Sequence, residues 1–480
     1  VKSSLILGAL LLSSALSAPA AALAQAGGAS AQAHSCHLPG VEDALRCLKL
    51  PVPLDPARPG PSLQLHVTIA PALREGARRD PLFVLAGGPG EAGSEVLPLL
   101  STAFRRVRAT RDIVFIDQRG TGLSGKLECD AGADEDNSLS DDQVDAAMRR
   151  CIASSRAPFA AYTTANAARD IEQVRRALGY GRINLWGGSY GTRLAQVYAR
   201  AYPDSVRSLV LDAVAAPDQV IPAGGRDSQA ALDTLFAQCD KDAGCRKAYP
   251  KLRAEFDALV ARLDGGGLKL ALPDPRTAQP VDITMTSARL LGTVHGMLYA
   301  PADARRLPFL VHSAAQGRWQ PFVARRNLAA DFNAEGSPAT LLHLAVVCAE
   351  DMPRYTPALA ASDSAPLTRA ITGRLPGLCR AMNVPAVPLP PLTRIAAPAL
   401  LLSGALDPVT PPHRAENAAR SMDRAQLLTA PNAGHGVSQL GCAPRLLRTF
   451  LDRPDQKLDG ACLNEIPAPT FQLGSAGPQP

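Results

Sequence analysis

Ile183-Asn184-Leu185-Trp186-Gly187-Gly188-Ser189-Tyr190-Gly191-Thr192-Arg193-Leu194 is the stretch on which the fold turns. Ile183 to Trp186 is a short apolar run of the kind that forms a strand buried on both faces. Leu194, Val197, Tyr198 and Ala201 then recur at helical spacing. Between the two, Gly187-Gly188-Ser189-Tyr190-Gly191 fits G-x-S-x-G. A serine on a sharp strand-to-helix turn needs small neighbours, because its backbone is pressed against the adjacent chain. The turn sets Ser189 at a helix N-terminus, with the Tyr190 N–H placed to receive a developing oxyanion. The same spacing also occurs in ordinary Gly-rich turns. The flanking strand and helix select the nucleophile reading.

Working outward, the chain alternates strands with helices. Leu63 to Ile69 alternates like a half-buried strand, after a Pro-rich entry (Pro51, Pro53, Pro56, Pro59, Pro61). Leu82 to Ala86, Ile113 to Ile116 and Val206 to Leu211 read as strands buried on both faces, and Ala167, Ile171, Val174 and Leu178 mark one face of a helix. Ala399 to Ser403 and Ala425 to Leu428 read as two late strands, each followed by a helix. This order predicts a mostly parallel sheet covered on both faces. From about 213 to 394 the rhythm changes to mainly helical text, with a Gly265-Gly266-Gly267 turn and a hairpin strand near Val281 to Met285. The expected organisation is a leader over 1–26, a core over 27–212, a cap insertion over 213–394 and the rest of the core over 395–480.

A nucleophilic serine needs a base, and the base needs an orienting carboxylate. Asp407 follows the strand ending at Ser403 through Gly404-Ala405-Leu406, and His435 follows the next strand in Asn432-Ala433-Gly434-His435-Gly436. Of the eight histidines, His435 alone sits in a glycine-flanked loop after the acid. Asp212, ending the strand after the turn helix, is the rival acid. A second oxyanion donor has to come from a loop beside the serine, and Ala86-Gly87-Gly88-Pro89-Gly90 ends an earlier strand; Gly88 is the expected donor. Gly88-Pro89-Gly90-Glu91-Ala92-Gly93 also satisfies G-x-G-x-x-G, with Asp117 downstream as an acidic residue. Pro89 lacks an N–H inside that would-be phosphate cradle, so a dinucleotide is not expected.

The ten cysteines fall at 36, 47, 129, 151, 239, 245, 348, 379, 442 and 462. Successive pairs are 31 residues apart or fewer, while the gaps between pairs are 63 or more. Five local bridges are expected: Cys36–Cys47, Cys129–Cys151, Cys239–Cys245, Cys348–Cys379 and Cys442–Cys462. No metal site is expected, because zinc ligands are normally spaced more closely. Lys2, an apolar stretch from Leu5 to Leu16 and small residues up to Ala26 read as a secretory leader, and an even cysteine count fits an oxidising periplasm or exterior. The stretch is too short for a membrane span. Net charge is +6, from scattered residues with no basic run longer than pairs such as Arg105-Arg106. That argues against a nucleic-acid partner.

The Gly87–Gly90 loop, Asp117-Gln118-Arg119-Gly120-Thr121-Gly122-Leu123-Ser124, the turn Gly187–Thr192 and the Asp407 and His435 segments together resemble the prolyl and tripeptidyl aminopeptidase family of exported α/β-hydrolase serine peptidases. The last stretch is similar to the C-terminal region of the tripeptidyl type. Prolyl aminopeptidases usually carry His where this chain has Ala86, which draws the resemblance toward the tripeptidyl branch. The resemblance implies an α/β-hydrolase fold with a helical cap, a Ser189–Asp407–His435 triad, an oxyanion hole at Gly88 and Tyr190, and no cofactor. It implies a peptide substrate with a free N-terminus, whose ammonium is held by cap carboxylates. Glu350 and Asp351, in Val346-Val347-Cys348-Ala349-Glu350-Asp351, are the expected pair. A carboxylesterase shares the same acyl-enzyme chemistry, and an inactive binding protein could share the fold. The intact order of serine, acid and histidine favours an enzyme.

Overall fold

Residues of a strand alternate between the two faces of its sheet, and the apolar runs of this chain feed two cores in that way. The computed structural model describes residues 33–74, 76–129, 138–273, 277–325, 339–389 and 391–477. The expected leader over 1–26 lies outside them. Eleven strands occur among the described residues: β1 His34–Cys36, β2 Leu45–Pro53, β3 Ser62–Ala70, β4 Arg78–Leu85, β5 Arg111–Ile116, β6 Ile183–Gly188, β7 Val206–Asp212, β8 Leu268–Pro273, β9 Pro280–Met285, β10 Ala399–Gly404 and β11 Ala425–Ala430.

Nine of them form one sheet in the order β1-β2-β3-β5-β4-β6-β7-β10-β11. The pairings β1–β2, β2–β3 and β3–β5 are antiparallel, and every pairing from β5 to β11 is parallel. Phe83, Leu85, Val114, Leu185, Leu209 and Leu401 pack on one face, against Ala168, Ile171 and Val174 of the helix Thr164–Ala177 and Leu194 and Tyr198 of the helix Tyr190–Ala201. Leu82, Val84, Phe115, Trp186, Val210 and Leu402 pack on the other, against Leu447 and Phe450 of the helix Ala443–Asp452. Each fully buried side chain of this size contributes about 1.5–3 kcal/mol. Alternating sides along a buried strand therefore holds helices to both faces at once.

Two expectations about the entry change. The Pro-rich segment holds a long strand, β2, with Pro51 and Pro53 inside it. β1 covers only Leu45 to Cys47, so the remainder of β2 runs along the sheet edge, where a missing N–H breaks no ladder. β3 alternates only at its start; from Leu65 to Ala70 it is buried throughout. Leu65, Val67 and Ile69 enter the core, whereas His66 and Thr68 bond each other at 3.0 Å on the opposite side, and the His66 N–H donates to the Ser124 hydroxyl at 2.8 Å. The loop after β5 covers the face expected to meet water.

Between β7 and β10 lie helices and the β8–β9 hairpin, built on a separate apolar cluster that includes Phe236, Phe256, Leu290 and Trp319. β10 nonetheless pairs directly with β7, Leu401 opposite Leu211. The ten cysteines form five bridges, Cys36–Cys47, Cys129–Cys151, Cys239–Cys245, Cys348–Cys379 and Cys442–Cys462. Among the described residues no helix is long and apolar enough to cross a membrane.

The Asp117-Gln118-Arg119 segment is scaffold. The Asp117 carboxylate accepts from the Ser94 N–H at 2.7 Å and the Leu123 N–H at 2.8 Å. Gln118 donates to the Ala86 carbonyl at 3.0 Å, which fixes the start of the Gly87–Gly90 loop. Buried Arg119 grips Asp170 with two nitrogens, at 2.8 and 2.7 Å, and donates to the Leu54 and Ala161 carbonyls. Removing one partner leaves a buried charge uncompensated, so Arg119→Ala should cost about 3–5 kcal/mol of unfolding free energy in chemical denaturation. A loss below about 1 kcal/mol would mean that the pair is replaced by solvent.

Candidate active site

Every strand of the parallel part contributes its C-terminal end to one rim, the place where ligands bind in open α/β sheets. Ser189 follows β6 with φ 52° and ψ −122°, a left-handed backbone that costs about 1–3 kcal/mol for a non-glycine residue. The flanking glycines make the turn possible. A Cβ on Gly191 would stand 2.0 Å from the Leu85 carbonyl oxygen, and one on Gly187 would stand 2.4 Å from that of Gly191. The strain is held by the Ser189 N–H, which donates to the Asp212 carbonyl at 2.9 Å, and by the Thr192 N–H, which donates to the Ser189 carbonyl at 2.9 Å.

Asp407 lies beyond β10 and His435 beyond β11, and the sheet brings them together. His435 Nδ1 sits 2.8 Å from Asp407 Oδ2. Asp407 is locked by an Asx-type turn: its Oδ1 accepts the Val409 and Thr410 N–H groups at 2.8 Å each, and its Oδ2 accepts the Thr410 hydroxyl at 2.7 Å. Burial by itself would raise the Asp407 carboxyl; the charge and hydrogen bond of His435 hold it below its ordinary value. Burial would likewise lower His435, and Asp407 carries it above the ordinary histidine value.

Asp212, the rival acid, has another task. Its carboxylate accepts the Val437 N–H at 2.9 and 3.0 Å and the Ser438 N–H at 2.7 Å. One residue thus holds Ser189 through its carbonyl and the His435 loop through its side chain, fixing nucleophile and imidazole relative to each other. Its oxygens are spent on the His435 loop, and no hydrogen bond joins them to the imidazole among the described residues.

Of the two glycines in the loop after β4, Gly87 donates its N–H to Glu91 Oε2 at 2.8 Å. The Gly88 N–H has no acceptor among the described residues. The Tyr190 N–H, first in its helix, has none within the helix. The start of the helix Thr340–Val346 presses on this loop: the N–H of its cap residue Ala339 donates to the Gly90 carbonyl at 2.9 Å, and His343 Nδ1 lies 3.2 Å from the Pro89 carbonyl.

The expected ammonium anchors, Glu350 and Asp351, already have partners. Asp351 is fully buried and bound by Arg193 at 2.9 and 3.1 Å and by Arg354 at 2.8 Å, so its charge is already matched. Glu350 accepts the Thr164 N–H and hydroxyl at 2.7 Å each, and Thr164 Oγ1 lies 2.7 Å from the Tyr190 hydroxyl. Asp351 clamps the cap to the helix Tyr190–Ala201, and Glu350 clamps it to the start of the helix Thr164–Ala177. Adjacent acids in sequence carry no sign of the arginines that meet Asp351 or of the threonine that meets Glu350.

Four residues near the candidate triad escaped the sequence reading. Thr410 sits three residues after Asp407, a spacing that could have marked the turn. Tyr299, from the cap, accepts the His435 N–H with its carbonyl at 2.8 Å and stacks edge-on with the imidazole, ring centroids 4.9 Å apart. His295 stacks on Tyr299, its Nδ1 has no partner among the described residues, and burial pushes it down to about 4. Glu91 is the fourth.

A family described as alpha/beta hydrolase fold matches residues 80–265, and one described as TAP-like protein matches residues 366–462. The chain has the α/β-hydrolase fold. The hydrolase is 29% identical over 439 residues to the serine protease Hip1 of Mycobacterium tuberculosis, covering 82% of this chain and 81% of that one. It is 29% identical over 245 residues to a tripeptidyl aminopeptidase of Streptomyces lividans, covering 44% of this chain and 46% of that one. Over 131 residues it is 34% identical to a proline iminopeptidase of Neisseria gonorrhoeae, covering 27% and 31%. The resemblance read from the motifs is thereby borne out for the family, including its tripeptidyl-aminopeptidase-like C-terminal part.

Proposed function

We propose that the protein is an exported serine aminopeptidase that releases N-terminal residues or short peptides through an acyl-enzyme. The observation that carries this reading is the Asp407–His435 contact of 2.8 Å on a loop that Asp212 ties to the strained Ser189 turn. Ser189 Oγ attacks the peptide carbonyl while His435 Nε2 takes its proton. Asp407 keeps the proton of the resting imidazole on Nδ1 and stabilises the imidazolium that forms. The Gly88 and Tyr190 N–H groups receive the oxyanion. His435 then protonates the departing amine, and water activated by the same imidazole releases the acyl group. The serine protease and aminopeptidase relatives support a peptide substrate. The five bridges support export to an oxidising compartment.

A panel of free-amino aminoacyl and peptidyl 4-nitroanilides, blocked peptides and simple esters tests the reading. Cleavage of the free-amino substrates with release of N-terminal fragments is expected. Turnover of esters alone would make the protein an esterase.

The acid limb follows from His435, which serves as a base only when neutral. Its affinity for a proton is raised, so kcat/KM should fall as pH drops through a value above the usual histidine pKa of about 6.5. A pH profile with the limb below about 6 would mean that Asp407 does not act on the imidazole in solution.

A further inference from the structure

The acids around Ser189 have their partners, with one exception. Asp407 faces His435 and Thr410, Asp212 takes backbone N–H groups, Asp351 meets two arginines and Glu350 meets Thr164. Among the described residues the Glu91 carboxyl has a single hydrogen bond, from the Gly87 N–H to Oε2 at 2.8 Å, and no lysine or arginine pairs with it. Its position is central. A Cβ on Gly87 would stand 3.1 Å from the Ser189 Cβ and 3.3 Å from Glu91 Oε2, so the carboxyl and the serine both border Gly87, on the loop that carries Gly88. His435 is the opposite charge that acts on it.

A lone carboxylate beside an oxyanion hole opposes the negative charge that the hole is built to receive. The opposition disappears when the substrate brings a cation to that spot. We propose that Glu91 receives the α-ammonium of the residue whose carbonyl Ser189 attacks, so that the enzyme removes N-terminal residues one at a time. The α-nitrogen of that residue is one Cα away from the scissile carbonyl. Each further residue of an extended chain moves the ammonium about 3.3–3.6 Å outward, so the ammonium of an extended tripeptidyl group falls beyond the reach of a side chain tethered to Gly87. Burial raises the free Glu91 carboxyl, whereas an ammonium at hydrogen-bond distance favours its ionised form. This inference rests on the aminopeptidase reading and narrows it.

Alanyl 4-nitroanilide, its N-acetyl form and trialanyl 4-nitroanilide test it on the full protein and on Glu91→Gln. A charge-assisted hydrogen bond is worth about 10- to 100-fold, so the wild type should prefer the free alanyl substrate over the acetylated one by that factor. Glu91→Gln should bring the two within about threefold of each other, the bulk of that preference gone. The ratio is internally controlled, since misfolding lowers both rates alike. A variant that keeps the wild-type preference places the ammonium elsewhere and overturns the Glu91 assignment while the aminopeptidase reading stands. A wild type with no preference overturns that reading itself. Chromatography of the trialanyl reaction gives an independent readout: stepwise loss of single alanines is expected, and intact trialanine as the first product would overturn the inference whatever the variant does.

Discussion

Ser189→Ala should lower kcat on a free-amino 4-nitroanilide by roughly a million-fold, the scale seen when one member of a cooperating triad is removed. The remaining rate would come from positioning and the oxyanion hole. The substitution is well suited to isolate chemistry from folding. The Ser189 hydroxyl makes no hydrogen bond within the described residues, and the bonds that hold the turn use backbone atoms. Alanine meets the same left-handed φ of 52° as serine does. The unfolding midpoint should therefore stay close to that of the wild type. His435→Ala should cost about as much, and the double variant little more than either alone, because the two residues act as a unit. Additive losses would mean that the imidazole serves some step other than activation of Ser189.

Asp407→Asn should lower kcat by about ten-thousandfold. An amide keeps the shape of the turn, but it can present N–H to His435 Nδ1 and so hold the imidazole in the tautomer that cannot take the serine proton. Asp212→Asn provides the contrast. It weakens bonds to the Val437 and Ser438 N–H groups and should cost about 1–3 kcal/mol of stability. Its effect on kcat should be far smaller than that of Asp407→Asn. Kinetics and denaturation of both variants check the pair. If Asp212→Asn were the inactive one, the acid would be Asp212 and the contact between Asp407 and His435 would be incidental.

The parallel half of the sheet was legible because strands buried on both faces must be apolar without interruption, and Leu82–Leu85, Ile113–Ile116 and Leu209–Leu211 are. The candidate triad was legible for a related reason: the fold delivers strand ends to one rim, so Ser189, Asp407 and His435 could be located from the strands before them. β2 was missed because prolines read as loop, and an edge position that tolerates them is a property of the assembled sheet. The inner half of β3 looked solvent-facing because its cover, the Ser124 loop, lies 58 residues away in the chain from His66. The partners of Glu350 and Asp351 were hidden for the same kind of reason. The chemistry of the two acids depends on Thr164, Arg193 and Arg354, two of which come from a different part of the chain. Charge shows in sequence; charge partners at long range do not. Glu91 was passed over as one letter of a glycine-rich loop, and only the fold sets its carboxyl and the serine against the same glycine.

The central claim is that Ser189 is the nucleophile, and covalent trapping tests it most directly. The folded protein is treated with a fluorophosphonate, digested with trypsin and mapped by mass spectrometry. The expected adduct is a single phosphonyl group on Ser189, within the peptide that runs from Ile183 to Arg193. An unmodified Ser189 peptide from folded protein, or an adduct confined to another residue, would contradict it.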